Sequence, residues 1–352
     1  MRRLSFILLF VIFAFAVFAD ITPQWLGTYG GSGNDEAQAS CYDTGGNYYL
    51  AGSFQGSFSA GSYSLSSTHQ AVFIIKFSPT GEVLWAICNN TSAAASRTAG
   101  VSGIMVDSTG NIYLAGFYSG VIKFATTTLQ SAGLDDIFLA KFNASGGYLW
   151  AVSLGGSATD RSTGICASNE GYPVIAGYYG SAINTIPHQG SSDILVAKYD
   201  ADANLVDINH WGGSLLDNAQ GIAAFAAGGY VISGCYTGEI SFGPFILNAG
   251  GKKAYICKLN NDLEPIWAIG SSGADDQECT SIATNDAGIF ILGKYSQAFS
   301  LGDFSLPDTG SSLFFAKVNA DGDVLNLSRL GSCSTSTTFF RSAVVNSLGE
   351  MI

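Results

Sequence analysis

Four aspartates recur along the chain at intervals of about sixty residues or about twice that, and their type and spacing come closest to forming a binding site. They are Asp35, Asp160, Asp217 and Asp275. Carboxylate oxygens that converge from several segments can coordinate a cation such as Ca²⁺, which prefers several oxygen ligands. Aspartate is equally common in turns, where its side chain accepts hydrogen bonds from backbone N–H groups of its own loop. Both interpretations stand until the fold is considered.

Groupings that would support other chemistry are scarce. Only His69, His188 and His210 could act as the base of a nucleophilic triad, and no serine lies in a G-x-S-x-G sequence. Glycoside hydrolysis uses two carboxylates about 5–10 Å apart, and no pair stands out from the recurrent pattern. We assign no catalytic residue, and we retain a polysaccharide-acting hydrolase or lyase that uses these carboxylates as the alternative function.

The seven cysteines show no C-x-x-C spacing, and their number is odd. Cys41 and Cys166 fall at one repeat position, which Met105 occupies in the unit between them. Free cysteine behaves as a small buried hydrophobic residue. We therefore predict core residues, because the spacing defines neither a disulfide framework nor a metal site.

Composition excludes two classes of protein. The chain has 352 residues, of which 15 are Lys or Arg and 27 are Asp or Glu, giving a net charge of −12. This balance leaves no basic surface for nucleic acid. Hydrophobic residues make up 47% of the chain and aromatic ones 12%, so it is too apolar to be disordered.

Residues 1–19 have the pattern of a secretory signal peptide. Arg2 and Arg3 precede an apolar run that extends to Phe18, and Val17 and Ala19 are the small residues of a cleavage site. The run is short for a transmembrane helix, which needs about 20 residues. We predict a secreted, periplasmic or cell-surface protein that does not span the membrane once this segment is removed.

The rest of the chain repeats with a period of about sixty residues, which is typical of solenoids, propellers and arrays. A glycine follows an aromatic or β-branched run at Gly52, Gly116, Gly177, Gly234 and Gly293. A lysine recurs at Lys76, Lys141, Lys198, Lys258 and Lys317. A tryptophan stands nine residues after three of these lysines, at Trp85, Trp150 and Trp267. Residues repeated in every unit are predicted to be architectural.

Each unit contains four strand-like segments separated by turn residues. In the second unit, residues 101–107 and 112–118 flank the turn STGN, and a polar loop is predicted from Ser119 to Leu134. Aromatic and β-branched residues favour strands, and Gly and Asn favour tight turns. We predict an all-β fold, a β-propeller of four-stranded antiparallel blades.

The repeat resembles a known family. The segments GIMVDSTGNIYLAGFY and DDIFLAKFNASGGYLWAVSLGGS resemble the SBBP repeat, the seven-bladed β-propeller repeat of bacterial exported proteins, over essentially all of residues 20–352. The third and fifth units depart from the pattern, because Asp207 and Asn326 replace the tryptophan. The resemblance implies an exported propeller.

A propeller would place the recurrent aspartates near the mouth of a central channel, because the first strand of each blade lines it. Asp136 and Asp193 end two of the long loops on the same face. We therefore predict Asp35, Asp160, Asp217 and Asp275 as ligand-binding residues, with Ca²⁺ as a possible ligand. The leading function is a non-enzymatic binding or scaffold module that recognises protein or glycan through variable loops.

The chain is predicted to stop within a blade. Its last residues, VVNSLGEMI, align with MVDSTGNIY of the second unit, so that five blades and part of a sixth are present. The segment QWLGTYGG near the start matches the last strand of a unit and could complete the final blade. The sequence therefore allows a ring of six, seven or more blades.

Overall fold

The structure is a computed structural model that describes residues 25, 27–89, 98–225, 227–308 and 310–333. Within these ranges the chain forms strands and turns and contains no helix. The all-β prediction is therefore confirmed. The predicted signal peptide and the final residues 334–352 lie outside the described residues.

Five sheets follow one another along the chain. The first contains β1 (Gly30–Gly31), β2 (Glu36–Tyr42), β3 (Tyr48–Ala60), β4 (Tyr63–Phe77) and β5 (Val83–Cys88). The second contains β6 (Ala99–Val106), β7 (Ile112–Phe124), β8 (Thr127–Phe142) and β9 (Tyr148–Leu154). The third contains β10 (Arg161–Ala167), β11 (Pro173–Tyr179), β12 (Asp193–Tyr199) and β13 (Leu205–Trp211).

The fourth sheet contains β14 (Asn218–Ala224), β15 (Tyr230–Phe242), β16 (Phe245–Leu259) and β17 (Pro265–Gly270). The fifth contains β19 (Gln277–Asn285), β20 (Gly288–Tyr295), β23 (Ser312–Val318) and β24 (Val324–Ser332). A small three-stranded sheet lies beside it, formed by β18 (Ser272–Gly273), β21 (Phe299–Leu301) and β22 (Phe304–Leu306). Four antiparallel strands per unit match the sequence prediction.

Aspartate or asparagine organises the tight turns between strands. The Asp107 carboxylate accepts backbone hydrogen bonds from Thr109 and Asn111, both at 2.9 Å, while Gly110 adopts a φ of 85°. Asp200 accepts the corresponding bonds from Asp202 at 2.8 Å and Asn204 at 2.9 Å. The segment DADAN (residues 200–204) is therefore a hairpin turn.

Successive sheets pack face to face, with their first strands β2, β6, β10, β14 and β19 side by side. Separate apolar clusters fill the spaces between neighbouring sheets. Ile194, Leu195 and Val196, three consecutive residues of β12, are at most 1% exposed, because both faces of the third sheet are covered. Burial on both faces explains why the strands are continuous apolar runs.

The recurrent glycines mark close approach of the first two strands in each sheet. A Cβ atom on Gly177 would lie 2.0 Å from the Arg161 carbonyl oxygen, and one on Gly52 would lie 1.9 Å from that of Glu36. The first strand carries a β-bulge beside each of these positions. The glycine column therefore relieves crowding between these two strands.

The prediction of a polar loop from Ser119 to Leu134 is wrong. β7 and β8 extend through it as a two-stranded arm, which turns between Phe124 and Thr127. Buried Ile122 and Phe124 alternate with polar residues and anchor the arm. The first and fourth sheets carry similar arms, whereas residues 180–192 of the third sheet form an irregular loop with one bridge, Ile183 to Ile186.

The lysine and tryptophan columns join neighbouring sheets. Lys141 Nζ and Trp150 Nε1 both donate to the Ala201 carbonyl of the next sheet, at 3.1 and 2.9 Å. Lys258 and Trp267 bind the Ala320 carbonyl in the same way. We call this contact, which is found at two junctions, the lysine–tryptophan clamp, and it gives these four residues an architectural role.

Candidate functional site

Two of the predicted site residues, Asp160 and Asp217, lie in the loops that connect successive sheets and are fully buried. Asp160 accepts backbone hydrogen bonds from Gly156 at 2.6 Å and Gly180 at 2.9 Å. Both carboxylate oxygens of Asp160 therefore accept a hydrogen bond. The bond from Gly180 ties the loop before β10 to the end of β11, the second strand of the same sheet.

Asp217 repeats this arrangement one sheet further on. Its carboxylate accepts from the N–H groups of Gly213 at 2.6 Å and Thr237 at 3.1 Å. Asp35 keeps the first half of the pattern, because Gly31 N–H donates to it at 2.6 Å. The three residues share a position immediately before the first strand of a sheet.

Asp275 does not belong to this column, which corrects the sequence alignment. Gln277 is the first residue of β19, lies two residues before the β-bulge as Asp160 does, and is fully buried. The Asp275 side chain instead accepts a hydrogen bond from Gln297 at 2.6 Å. The loop keeps a four-residue spacing from Gly273 to Gln277, and a Cβ on Gly273 would lie 2.6 Å from Gln277 Nε2. A count of about sixty residues thus points to an acidic neighbour, while the neutral Gln277 fills the buried position.

The aspartates therefore act within separate loops. Among the described residues, no group of three or more His, Cys, Asp or Glu side chains could hold a metal ion. The hydrogen bonds of Asp160 and Asp217 support the turn-forming interpretation of these residues. The Ca²⁺ hypothesis gains no support from this part of the chain.

Burial changes the acid–base behaviour of the two aspartates. Desolvation raises the pKa of Asp160 to about 6, against the backbone hydrogen bonds from Gly156 and Gly180, with nearby Asp136 adding to the rise. Desolvation likewise raises the pKa of Asp217 to about 6, and Asp193 contributes. Both groups change charge in a mildly acidic range.

We expect the protein to lose stability as the pH rises from 4.5 to 7.5. In this window the native state keeps protons on Asp160 and Asp217 that the unfolded state has already released, since an unfolded aspartate has a pKa of about 3.9. The contribution is about 2 kcal/mol for each carboxylate. Urea denaturation at several pH values measures it.

The double variant Asp160→Asn/Asp217→Asn is the control, because it removes both titrating groups, and its stability should vary less across this window. At lower pH other carboxylates act in the opposite direction. For Asp107, hydrogen bonds from Thr109 and Asn111 outweigh burial and lower the pKa. Stability that increased from pH 4.5 to 7.5 would contradict the assignment.

Polar pairs link the sheets just beside the aspartates. Arg161 Nε lies 2.7 Å from Asp135 Oδ2, and at the matching positions Lys252 Nζ lies 2.9 Å from Glu278 Oε2. At one junction the first strand of the later sheet carries the cation, Arg161, and at the other junction it carries the carboxylate, Glu278. Such pairs favour the native order of sheets, because a wrong neighbour would bring like charges together.

Residues of the five first strands line a cavity of about 190 Å³. The residue at the β-bulge of each strand lines it, and these residues are Gln38, Ser102, Thr163, Gln220 and Thr280. Gln38 Oε1 accepts from Val101 N–H at 2.8 Å. The lining is neutral and polar, and part of it holds adjacent strands together.

A larger cavity of about 480 Å³ lies at the junction of the third and fourth sheets. We call it the junction pocket, and its lining consists of Gln189, His210, Trp211, Gly212, Gly213, Ser214, Glu239 and Ser241. The sequence does not predict this pocket, because its walls come from three separate segments. A signal was present, since two of the three histidines lie where the third unit departs from the repeat.

Aromatic packing and hydrogen bonds hold the loop that forms one wall. His188 and His210 pack edge-on against Tyr179, with ring centroids 5.5 and 6.2 Å away. Tyr179 donates its hydroxyl to the Pro187 carbonyl at 2.6 Å. These contacts fix residues 187–189 although they belong to no strand.

Comparisons with known proteins agree with a repeat fold. No family model matches the chain. An uncharacterized WD repeat-containing protein of Acanthamoeba polyphaga mimivirus is 24% identical over 350 residues, and the match covers 78% of this chain and 25% of that protein. The chain thus spans about a quarter of the length of this relative.

A solved structure of a protein of unknown function from Bacteroides caccae is also similar. It has a TM-score of 0.40 and 11% identity, and the match covers 84% of this chain and 82% of the other. This likeness is too remote to support an argument. The WD-repeat relative and the succession of four-stranded antiparallel sheets together indicate a propeller-like repeat protein.

Proposed function

We propose that the chain forms a β-propeller and serves as an exported, non-enzymatic binding or scaffold module. The five first strands that line one cavity support a circular arrangement. The resemblance to the SBBP repeat supports export, as do the features of residues 1–19. In this proposal residues 20–352 form one propeller domain.

The module recognises protein or glycan through the face that carries the junction pocket. One observation carries this proposal, namely that a cavity of about 480 Å³ coincides with the irregular loop 180–192, where the repeat is broken. Repeated positions serve the architecture, as the lysine–tryptophan clamp illustrates. Recognition depends on surfaces that differ between units.

The hydrolase or lyase alternative has no comparable support. Asp160 and Asp217 have both carboxylate oxygens engaged by backbone N–H groups. Among the described residues that line the junction pocket, Glu239 is the only carboxylate, whereas the usual glycosidase mechanism needs two. Binding without turnover is the simpler use of such a site.

The proposal is tested by measuring binding of the purified protein to an array of glycans and to a set of immobilised envelope proteins. Replacing residues 182–190 with a short glycine–serine linker should abolish the recognised interaction, because it removes one wall of the pocket. The matched control replaces residues 61–62, the turn of the first-sheet arm, and should bind normally. Equal binding by both variants, or no binding in either panel, would contradict the proposal.

A further inference from the structure

We propose that the junction pocket binds a neutral oligosaccharide, an inference that rests on the binding function proposed above and specifies its ligand. Its volume, about 480 Å³, lies in the range of about 300–1,000 Å³ that is typical of small-ligand sites. The composition of the walls, their rigidity and the charge around them together favour this class of ligand.

Backbone contacts hold two walls of the pocket against each other. Ser191 N–H donates to the Leu215 carbonyl at 3.0 Å, and Asp217 N–H donates to the Ser192 carbonyl at 2.9 Å. Residues Ser192 and Leu216 also form a parallel β-bridge. The loop of the third sheet and the connection to the fourth sheet therefore form one frame. Binding then costs less entropy, because the loop is already ordered before a ligand arrives.

Two buried aspartates reinforce this frame from behind. Asp193 accepts a hydrogen bond from Gln189 N–H at 2.8 Å, and Asp217 accepts one from Gly213 N–H at 2.6 Å. Gly212 has no room for a side chain, because a Cβ there would lie 2.2 Å from Asp193 Oδ1. The walls of the pocket are thus pre-formed.

The polar side chains of the lining offer both donors and acceptors. Gln189 supplies an amide, His210 an imidazole, and Glu239 a carboxylate that already accepts from Asn248 at 3.1 Å. Ser214 and Ser241 add hydroxyl groups. Sugar hydroxyls both donate and accept, so they can pair with each of these groups.

Charge argues against an anionic ligand. No lysine or arginine is present among the described residues that line the pocket, and its one ionisable acid is Glu239. The chain as a whole carries a net charge of −12. A sulfated or phosphorylated ligand would meet repulsion here without a cation to pair with.

An apolar rim completes the match. Leu215 and Leu216 are 48% and 38% exposed beside the pocket. A Cβ on Gly238 would lie 3.4 Å from Leu215 Cδ1, so Leu215 reaches across to the strand that carries Glu239. The C–H faces of a sugar ring can pack against such side chains while its hydroxyls face the polar wall.

The experiment uses the full chain and saturation-transfer NMR with four neutral probes, namely cellobiose, maltose, lactose and chitobiose. Sulfated lactose and a tetra-alanine peptide represent other ligand classes. Glu239→Gln and Gln189→Ala each alter one polar wall without touching the buried frame. Ser57→Ala is the control, because its register on the first-sheet arm matches that of Glu239.

We expect at least one neutral probe to bind, and both pocket variants to weaken it about five- to tenfold, the loss of about one hydrogen bond. The control should bind as the parent does. Absence of binding by all four neutral probes, preference for the sulfated probe or the peptide, or equal binding by every variant would overturn the inference. If loop replacement at residues 182–190 still abolished binding to an envelope protein, the proposed function would stand while the saccharide assignment failed.

Discussion

Replacing Gly177 by alanine is expected to lower the free energy of unfolding by about 3 kcal/mol or more. The added methyl group would lie 2.0 Å from the Arg161 carbonyl oxygen and 2.8 Å from the Ser162 Cα. Both neighbours are backbone atoms of the adjacent strand, so no side-chain rotation can relieve the contact. The first and second strands of the third sheet must separate where Ser162 pairs with Gly177.

Chemical denaturation of the variant and the parent at one pH measures this loss. Gly250→Ala is the matched control, because Gly250 also lies in a strand, β16, and a Cβ there would meet nothing within 4 Å. Its stability should stay within about 0.5 kcal/mol of the parent, since alanine restricts the unfolded chain slightly. Similar effects at both positions would show that general strand propensity, and not the close approach, explains the glycine column.

Much of the architecture could be predicted because it depends on repeated local chemistry. A glycine recurs at the position of Gly177 in every unit. In each unit a side chain is excluded for the same reason, because an added Cβ would lie within 2.4 Å of a carbonyl oxygen of the first strand. The turn at Asp107 likewise follows from side-chain hydrogen bonds within five residues. Such features need no knowledge of distant parts of the chain.

The remaining features depend on contacts between units, which a period cannot specify. The sequence predicts a loop where the second sheet has its arm, because the polar residues there alternate with apolar ones, such as Ile122, that are buried only in the folded protein. The repeat period points to Asp275, because it cannot show that Gln277 fills the buried position. The junction pocket needs Gln189 and Glu239 brought together from different sheets.

Replacing Trp150 by alanine is expected to cost about 3 kcal/mol, near the lower end for a buried tryptophan because its indole is only partly covered. The change removes the hydrogen bond to Ala201 and the edge-to-face contact with Tyr113, whose ring centroid lies 5.9 Å away. Trp150→Phe should cost only about 1 kcal/mol, because phenylalanine keeps an aromatic ring beside Tyr113 and loses only the N–H that donates to Ala201. Urea denaturation measures both effects.

A double-mutant cycle tests whether the clamp acts as one unit. Lys141 and Trp150 donate to the same carbonyl oxygen, so Lys141→Met and Trp150→Phe should be non-additive by about 0.5 kcal/mol or more. Asp207→Ala is the control, because Asp207 pairs with Lys198 in the register that Trp150 has with Lys141. It should change stability by less than about 0.5 kcal/mol.

Strict additivity, or an equal loss at Asp207, would mean that the column reflects strand packing and not a joint between sheets. The expected result has a consequence for the junction pocket. At the junction of the third and fourth sheets Asp207 replaces the tryptophan of the clamp, and Asn209 donates to the Leu263 carbonyl at 3.2 Å. The backbone contacts of Ser191 and Asp217 then hold that junction from the side of the pocket. At this junction the clamp is thus replaced by contacts that also shape the junction pocket.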